Sequence, residues 1–271
     1  MQISDPGELL TGEVHVWHGL ITGEPSGEDV TVLSDTERAR SARFVRPGDR
    51  ARFVAAHAAQ RRILARYLDA DPAAIRFARS PCCRCGSTEH GRPSIEWPPT
   101  ALSHNLSGSG QHWLLAVAAA GPVGVDIECH RGIEVDRMAD ACLTVSERQY
   151  LRDQPDELRQ AAFFRCWTRK EAVLKACGVG LASNLGSLEV HPERCGAVEV
   201  RHTSGTCPDT WLVQDLAQGR RHVPTSGRRQ GPTEAEQMRA HDITDTADWS
   251  GAVAQSAGPL VPVRFLAFPP S

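Results

Sequence analysis

The stretch PDELRQAAFFRCWTRKEAVLKACG, Pro155 to Gly178, constrains the chain more than any other. It predicts a long helix stopped by Gly178, because glycine accepts the left-handed conformation that closes a helix. Phe163, Phe164, Trp167, Val173 and Leu174 leave little of that helix free for water. A helix this apolar must lie against a core, yet it carries Lys170, Glu171 and Lys175 close to Trp167. Glu171 and Lys175 are i and i+4 and share a face, with Trp167 one turn earlier on the same face. Two readings stand. One is a surface ion pair, worth about 0.3–0.5 kcal/mol. In the other, charges at the edge of an apolar helix need partners, and a metal ion for Glu171 and a phosphate for Lys175 supply them.

PVGVDIECH puts Asp126 and Glu128 at i and i+2. On a strand both carboxylates face one way while Val125 and Ile127 face a core. Paired carboxylates repel unless a cation sits between them, and hard oxygen ligands on a strand suit Mg²⁺. Taken alone, a solvated strand end explains the same pattern.

The rest of the chain alternates strand and helix signals. EVHVWHGLI reads as a strand, and SDTERARSARF as a helix capped by Ser34 or Asp35. DRARFVAAHAAQRRILARYLDAD follows as a helix with an apolar face, which Pro72 ends or which gives way there to the next turn. IEWPPTALSHNLSGSG reads as strand and turn, and TVSERQYLRDQ as a helix. SLEVHP, AVEVRHT and TWLVQDLA read as strands. The polar segment at 217–248 reads as a long loop. HWLLAVAAAGPVGVDIE and GAVAQSAGPLVPVRFLAF each read as two apolar strands around a Gly-Pro turn. Either the two pairs mark an internal duplication, with two α+β lobes side by side, or they are unrelated hairpins.

The 271 residues allow one large domain or two small ones. A formal charge of −3 gives no reason to expect nucleic acid as a partner. No apolar stretch approaches the roughly 18 residues that span a bilayer, so no membrane association is expected. The N-terminus lacks the pattern of a signal peptide, and the nine cysteines do not form a disulfide framework, which fits a cytoplasmic protein.

GVDIE followed by WTRKEAVLKACGVGL resembles the paired signature of the Sfp-type 4'-phosphopantetheinyl transferases. Gly124, Asp126, Glu128, Trp167, Lys170, Glu171, Ala172, Lys175, Gly178, Gly180 and Leu181 all match it. Upstream, Gly91, Arg92 and Pro93 resemble the family's G-[KR]-P element, and HNLSGSG its F-N-[ILV]-S-H-S-G element. The resemblance implies transfer of the phosphopantetheine arm of coenzyme A to a serine of an apo acyl or peptidyl carrier protein. It also implies an α+β fold of two similar α/β lobes related by pseudo-twofold symmetry, with the active site in the cleft between them. The lobes would be 1–122 and 123–271, and the protein a monomer. Asp126, Glu128 and Glu171 would hold Mg²⁺, with Glu171 and Lys175 catalytic. Arg40, Arg52, Arg92, Ser107 and Lys175 would contact coenzyme A.

One departure stands out. Where the family usually has a histidine, this chain has Gly108. An alternative register uses Ser103 and His104, and His104 also has a route to the site from its own position. The missing imidazole motivates a rival reading, a weakened homologue that binds carrier protein or coenzyme A without efficient transfer. Three carboxylates and a lysine on the matching positions speak against it. Separately, Cys82, Cys85 and His90, with Cys83 as an extra ligand, have the spacing of a zinc knuckle. A plain cysteine-bearing loop before Arg92 is the other reading.

Overall fold

The computed structural model describes residues 9, 13–89, 91–179, 184–202, 210–216, 249–256 and 262–268. The 217–248 segment, His90, Gly180 and Leu181 lie outside them. Strand β1 (Val14–Leu20) is followed by helices α1 (Gly27–Thr31), α2 (Asp35–Ser41) and α3 (Pro47–Leu68). Strands β2 (Arg76–Arg79), β3 (Pro93–Trp97), β4 (Ser103–Ser109), β5 (His112–Ala118) and β6 (Val123–Cys129) come next. Helices α4 (Val135–Cys142), α5 (Val145–Arg152) and α6 (Asp156–Cys177) lead to β7 (Ala197–Arg201), β8 (Thr210–Asp215), β9 (Trp249–Ser256) and β10 (Val263–Ala267).

The strands form two four-stranded sheets, ordered β10-β1-β5-β4 and β6-β9-β8-β7, and a β2-β3 ribbon. β1 pairs with β10 in parallel, and the other pairs are antiparallel. Period-two alternation gives each sheet two apolar faces. Val14, Val16, Leu114 and Ala116 of the first sheet meet Val123, Val125, Ile127 and Val253 of the second. On the outer face of the first sheet, Trp17, Trp113, Leu115 and Val117 pack on Ala56, Ala59, Ile63 and Leu64 of α3. On the outer face of the second, Val198, Val200, Trp211, Val213 and Ala254 pack with Phe163, Ala172, Val173 and Ala176 of α6. The layers therefore run helix, sheet, sheet, helix, a mixed α+β architecture.

Local signals account for the helix ends. Of the two candidate caps, Ser34 is the one that caps α2, in a capping box with Glu37. Gly178, at φ 73°, closes α6. Of the two expectations for Pro72 the second holds: Asp69, in the left-handed conformation at φ 47°, stops α3, and Pro72 opens the turn that follows. α1, α4 and β2 were not anticipated; α1 is five residues long and β2 is mostly exposed, so hydrophobic periodicity carries little signal there, whereas α4 is amphipathic over its eight residues and was missed despite that signal.

The two Gly-Pro stretches are not hairpins. β5 and β6 lie in different sheets, and so do β9 and β10. The chain crosses from the first sheet to the second after β5 and returns after β9. Apolar alternation identifies the strands but does not say which neighbour each one pairs with. SLEVHP is not a strand either. Its backbone is satisfied by side chains: the Leu188 and Val190 carbonyls accept from Lys170 and Arg169, and the Val190 amide donates to Glu147. Cys83 is disulfide-bonded, so it is not free as a metal ligand. Among the described residues no helix is long and apolar enough to cross a membrane.

Candidate active site

The second half of α6 is buried except for one stripe. From Ala162 to Cys177 only Trp167, Glu171 and Lys175 are partly exposed. That i, i+4, i+8 stripe lies along β6, which the helix approaches closely. A Cβ on Gly124 would stand 2.1 Å from the Ala172 carbonyl oxygen, so this position of the signature has to be glycine for the helix to pack. The close approach brings the outward carboxylates of β6 to the stripe.

Strand β4 closes the other side of β6. Its alternate residues Asn105, Ser107 and Ser109 face β6 and act as a polar seam between the sheets. Asn105 Oδ1 accepts from the Val125 amide at 2.9 Å. Ser109 Oγ accepts from the Cys129 amide at 3.0 Å and donates to Glu128 at 2.9 Å. Ser107 Oγ donates to Asp126 Oδ1 at 3.0 Å. Lys175 Nζ completes the cluster, with Asp126 Oδ1 at 2.6 Å, Ser107 Oγ at 2.8 Å and the Val125 carbonyl at 3.3 Å.

The cluster holds more negative charge than it neutralises. Asp126 Oδ2 and Glu171 Oε1 are buried and have no hydrogen-bond partner. Burial, then the Asp126 charge, push the Glu171 carboxyl up to about 7, against an opposing pull from Lys175. Burial also raises Asp126, while Lys175 and Ser107 lower it. Glu128 is better supported, by Ser109 and by Arg131 at 2.8 Å. Oxygen donors with unused lone pairs and raised pKa values fit a hard divalent cation. Among the described residues, however, no three acidic, imidazole or thiol side chains converge into a ready-made cage.

A cavity of about 320 Å³ opens beside this cluster, between the N-terminal part of α3 and the end of β4. Ser107 belongs to both, since it lines the cavity and bonds Asp126. Arg52 lines the cavity and pairs with Asp49. Arg40 stands over the Phe53 ring, 5.3 Å from its centroid, and Phe53 is another cavity residue. Arg92 lies elsewhere. Its guanidinium donates to the Ala176 carbonyl at 3.3 Å, capping the negative end of α6. The three arginines therefore do not converge on a single point.

His104 points away from the cluster. It is buried against Phe77, with ring centroids 5.2 Å apart, and neither ring nitrogen has a partner. On β4 it faces opposite to Ser107, so it has no route to Asp126. Gly108 is an ordinary strand residue paired with Trp113. A Cβ there meets nothing closer than the His112 carbonyl oxygen at 3.4 Å, and no positive φ requires the glycine.

Lys170 has a different role from its neighbours. Its ammonium pairs with Glu147 at 2.7 Å, both side chains being fully buried, and donates to the Leu185 and Leu188 carbonyls. Sequence reasoning missed this, along with Arg131 and the Asn105–Ser109 seam. The i+3 spacing of Arg131 from Glu128 and the alternate polar residues of NLSGS were the available signals.

Comparison with known proteins supplies the context. The sequence model of the 4'-phosphopantetheinyl transferase superfamily matches residues 122–226. The chain is 36% identical over 179 residues to the 4'-phosphopantetheinyl transferase HetI of Nostoc sp., covering 64% of this chain and 72% of that protein. A putative 4'-phosphopantetheinyl transferase of Synechocystis sp. is 32% identical over 159 residues, 58% of this chain and 61% of that protein. The 4'-phosphopantetheinyl transferase Sfp of Bacillus subtilis is 26% identical over 180 residues, 66% of this chain and 75% of that protein.

Proposed function

Because the chain belongs to the 4'-phosphopantetheinyl transferase superfamily, we propose that it moves the phosphopantetheine arm of coenzyme A onto a serine of an apo acyl or peptidyl carrier protein. The observation that carries the reading is the under-neutralised cluster of Asp126, Glu171 and Lys175 next to a cavity lined by Ser107 and Arg52. The weakened-homologue reading has nothing in its favour.

The chemistry is a phosphoryl-type transfer, in which the serine oxygen forms a bond to phosphorus and the adenosine 3',5'-bisphosphate oxygen leaves. Lys175 would hold an oxygen of the diphosphate, and Ser107 would fix the lysine and Asp126 in register. Glu171 would take the serine proton. Asp126, Glu128 and Glu171 would hold Mg²⁺, which when bound neutralises charge on the diphosphate. Arg52 and Arg40 would attract the nucleotide phosphates. Arg92, tied to the end of α6, would act on the donor from that position or only hold the helix.

The finer architecture belongs to the same reading. Two sheets, each backed by a 22-residue helix, and two mirrored crossings between them support two related lobes with the site between. β10, which pairs with β1, then joins the first lobe although it comes from the far end of the chain. A monomeric, cytoplasmic enzyme is the simplest form of the proposal.

The test is direct. The protein is incubated with Mg²⁺, coenzyme A and a panel of apo carrier proteins, and the carriers are read by intact mass. Gain of one phosphopantetheine mass on the carrier serine supports the function. No gain on any carrier, with a control enzyme active on the same panel, overturns it.

A further inference from the structure

The cavity between α3 and β4 contains a polar group that neither the fold nor the reading above uses. His57 lines it from α3. Its Nδ1 bonds the Phe53 carbonyl at 2.9 Å, and its ring stacks on Phe53 with centroids 3.8 Å apart. A carbonyl only accepts, so Nδ1 carries the proton there. The two contacts set the ring's orientation and leave Nε2 without a hydrogen-bond partner among the described residues.

Other polar side chains of the cavity already have a protein partner. Arg52 is paired with Asp49, Ser107 with Asp126 and Lys175, and His112 with His18 at 2.9 Å. Ile21, Phe44, Ala56, Leu106 and Trp113 make the remaining wall apolar. His57 is half-buried and its unpaired Nε2 faces this space, where only the imidazolium form would donate to a ligand's acceptor oxygen. Gly108 lines the same cavity and leaves open the room that a side chain would take.

We propose that His57 binds the donor substrate, giving a hydrogen bond from Nε2 to a phosphate oxygen and serving where the family's usual histidine is replaced by Gly108. The inference rests on coenzyme A being the donor. With Nδ1–H held on the carbonyl, Nε2 donates only as part of an imidazolium, and an arriving phosphate supplies the negative charge that favours this form. In the free protein burial holds the His57 pKa below its ordinary value, with Glu37 and the Phe53 carbonyl raising it and Arg40 and Arg61 lowering it, so the phosphate has to offset that burial. His57 is therefore a binding residue, and its loss is expected to appear in affinity more than in turnover.

The test uses the whole protein, with coenzyme A binding followed by calorimetry and transfer by steady-state kinetics. His57→Phe keeps a ring to stack on Phe53 and removes both nitrogens. It should weaken coenzyme A binding about ten- to a hundredfold, as for a lost bond to a charged group, raise KM in proportion and leave kcat within a few-fold. Adding Gly108→His to that variant should recover most of the affinity. Wild-type affinity in His57→Phe, or no recovery with Gly108→His, overturns the proposal. Should His57→Phe not fold, the wild-type protein with ¹⁵N-labelled histidine decides. Coenzyme A should shift the His57 Nε2 resonance, and an unmoved signal at saturation overturns the assignment. A wild-type protein that neither binds nor consumes coenzyme A overturns the transferase reading itself, before any variant is made.

Discussion

Lys170 and Lys175 stand on the same helix, and their surroundings are opposite. Lys170 is enclosed with Glu147, and both are saturated: the lysine by two carbonyls, the glutamate by the amides of Thr144 and Val190. Arg169 nearby is likewise bound to Asp215 and to the carbonyls of Val190, His191 and Arg194. Around Lys175, carboxylate oxygens of Asp126 and Glu171 are buried without partners. A saturated buried pair holds α5, α6 and the 185–190 segment together. An unsaturated one retains electrostatic potential for something that arrives later. Burial of charge alone does not distinguish structure from function; the unfilled hydrogen-bonding capacity does.

The contrast can be broken most severely at the open end. Asp126→Ala or Glu171→Ala should lower transfer by at least about a hundredfold, the scale of losing one preorganised charge-stabilising group. Thermal midpoints should hold near wild type, because neither side chain is a saturated structural partner. Near-normal turnover in either variant, measured by carrier mass shift at ordinary Mg²⁺, removes the site assignment.

At the closed end the effect should be on stability. Lys170→Met leaves Glu147 buried without its cation and should cost about 3–5 kcal/mol in urea unfolding. Lys175→Met should cost much less, since Lys175 is partly exposed. Equal losses in the two variants would show that the helix has no electrostatic division.

A pH experiment sharpens the same difference. The Glu171 carboxyl is raised in the folded protein to about 7, from an ordinary value of 4.5. The folded state therefore holds the proton more tightly than the unfolded state. The stabilisation is fully present below about 4.5 and is lost as pH rises through about 7, a change of at most a few kcal/mol. Metal-free protein should lose stability over that window, Glu171→Gln should flatten the curve, and Mg²⁺ should restore stability at the alkaline end. A wild-type curve identical to that of Glu171→Gln would contradict the cluster's charge imbalance.

The smallest effect concerns His104, a buried polar group that is unsaturated like the open cluster but does not line the cavity beside it. Its imidazole is pushed down to about 4 by burial alone. His104→Phe, with a ring kept against Phe77, should stabilise the protein by about 1 kcal/mol by removing unpaired nitrogens. Transfer should be unchanged. A loss of activity would mean that His104 serves the site after all.

The candidate site was legible because its spacing survives folding. Glu171 and Lys175 share a face at i, i+4, and Asp126 and Glu128 share one at i, i+2, whatever surrounds them. Arg52 lines a cavity, while Arg92 is bound to the end of α6, which no local pattern reveals. Lys170 matched the signature as well as Glu171 did, and nothing in WTRKE says which of the two is enclosed. Gly180 and Leu181 match the signature as well, and lie outside the described residues.

The sequence alone determined the long helices, the Gly178 stop and the faces on which the charged residues lie. These follow from local rules: helix periodicity, strand alternation and the conformational freedom of glycine. Only the tertiary structure decided that β5 and β6 part into different sheets, that β10 returns to β1, and that β4 lends Ser107 to Asp126. It also decided which lysine is saturated. Period two says which way a side chain points but not which strand lies beside it, and helical spacing says which residues share a face but not what covers that face.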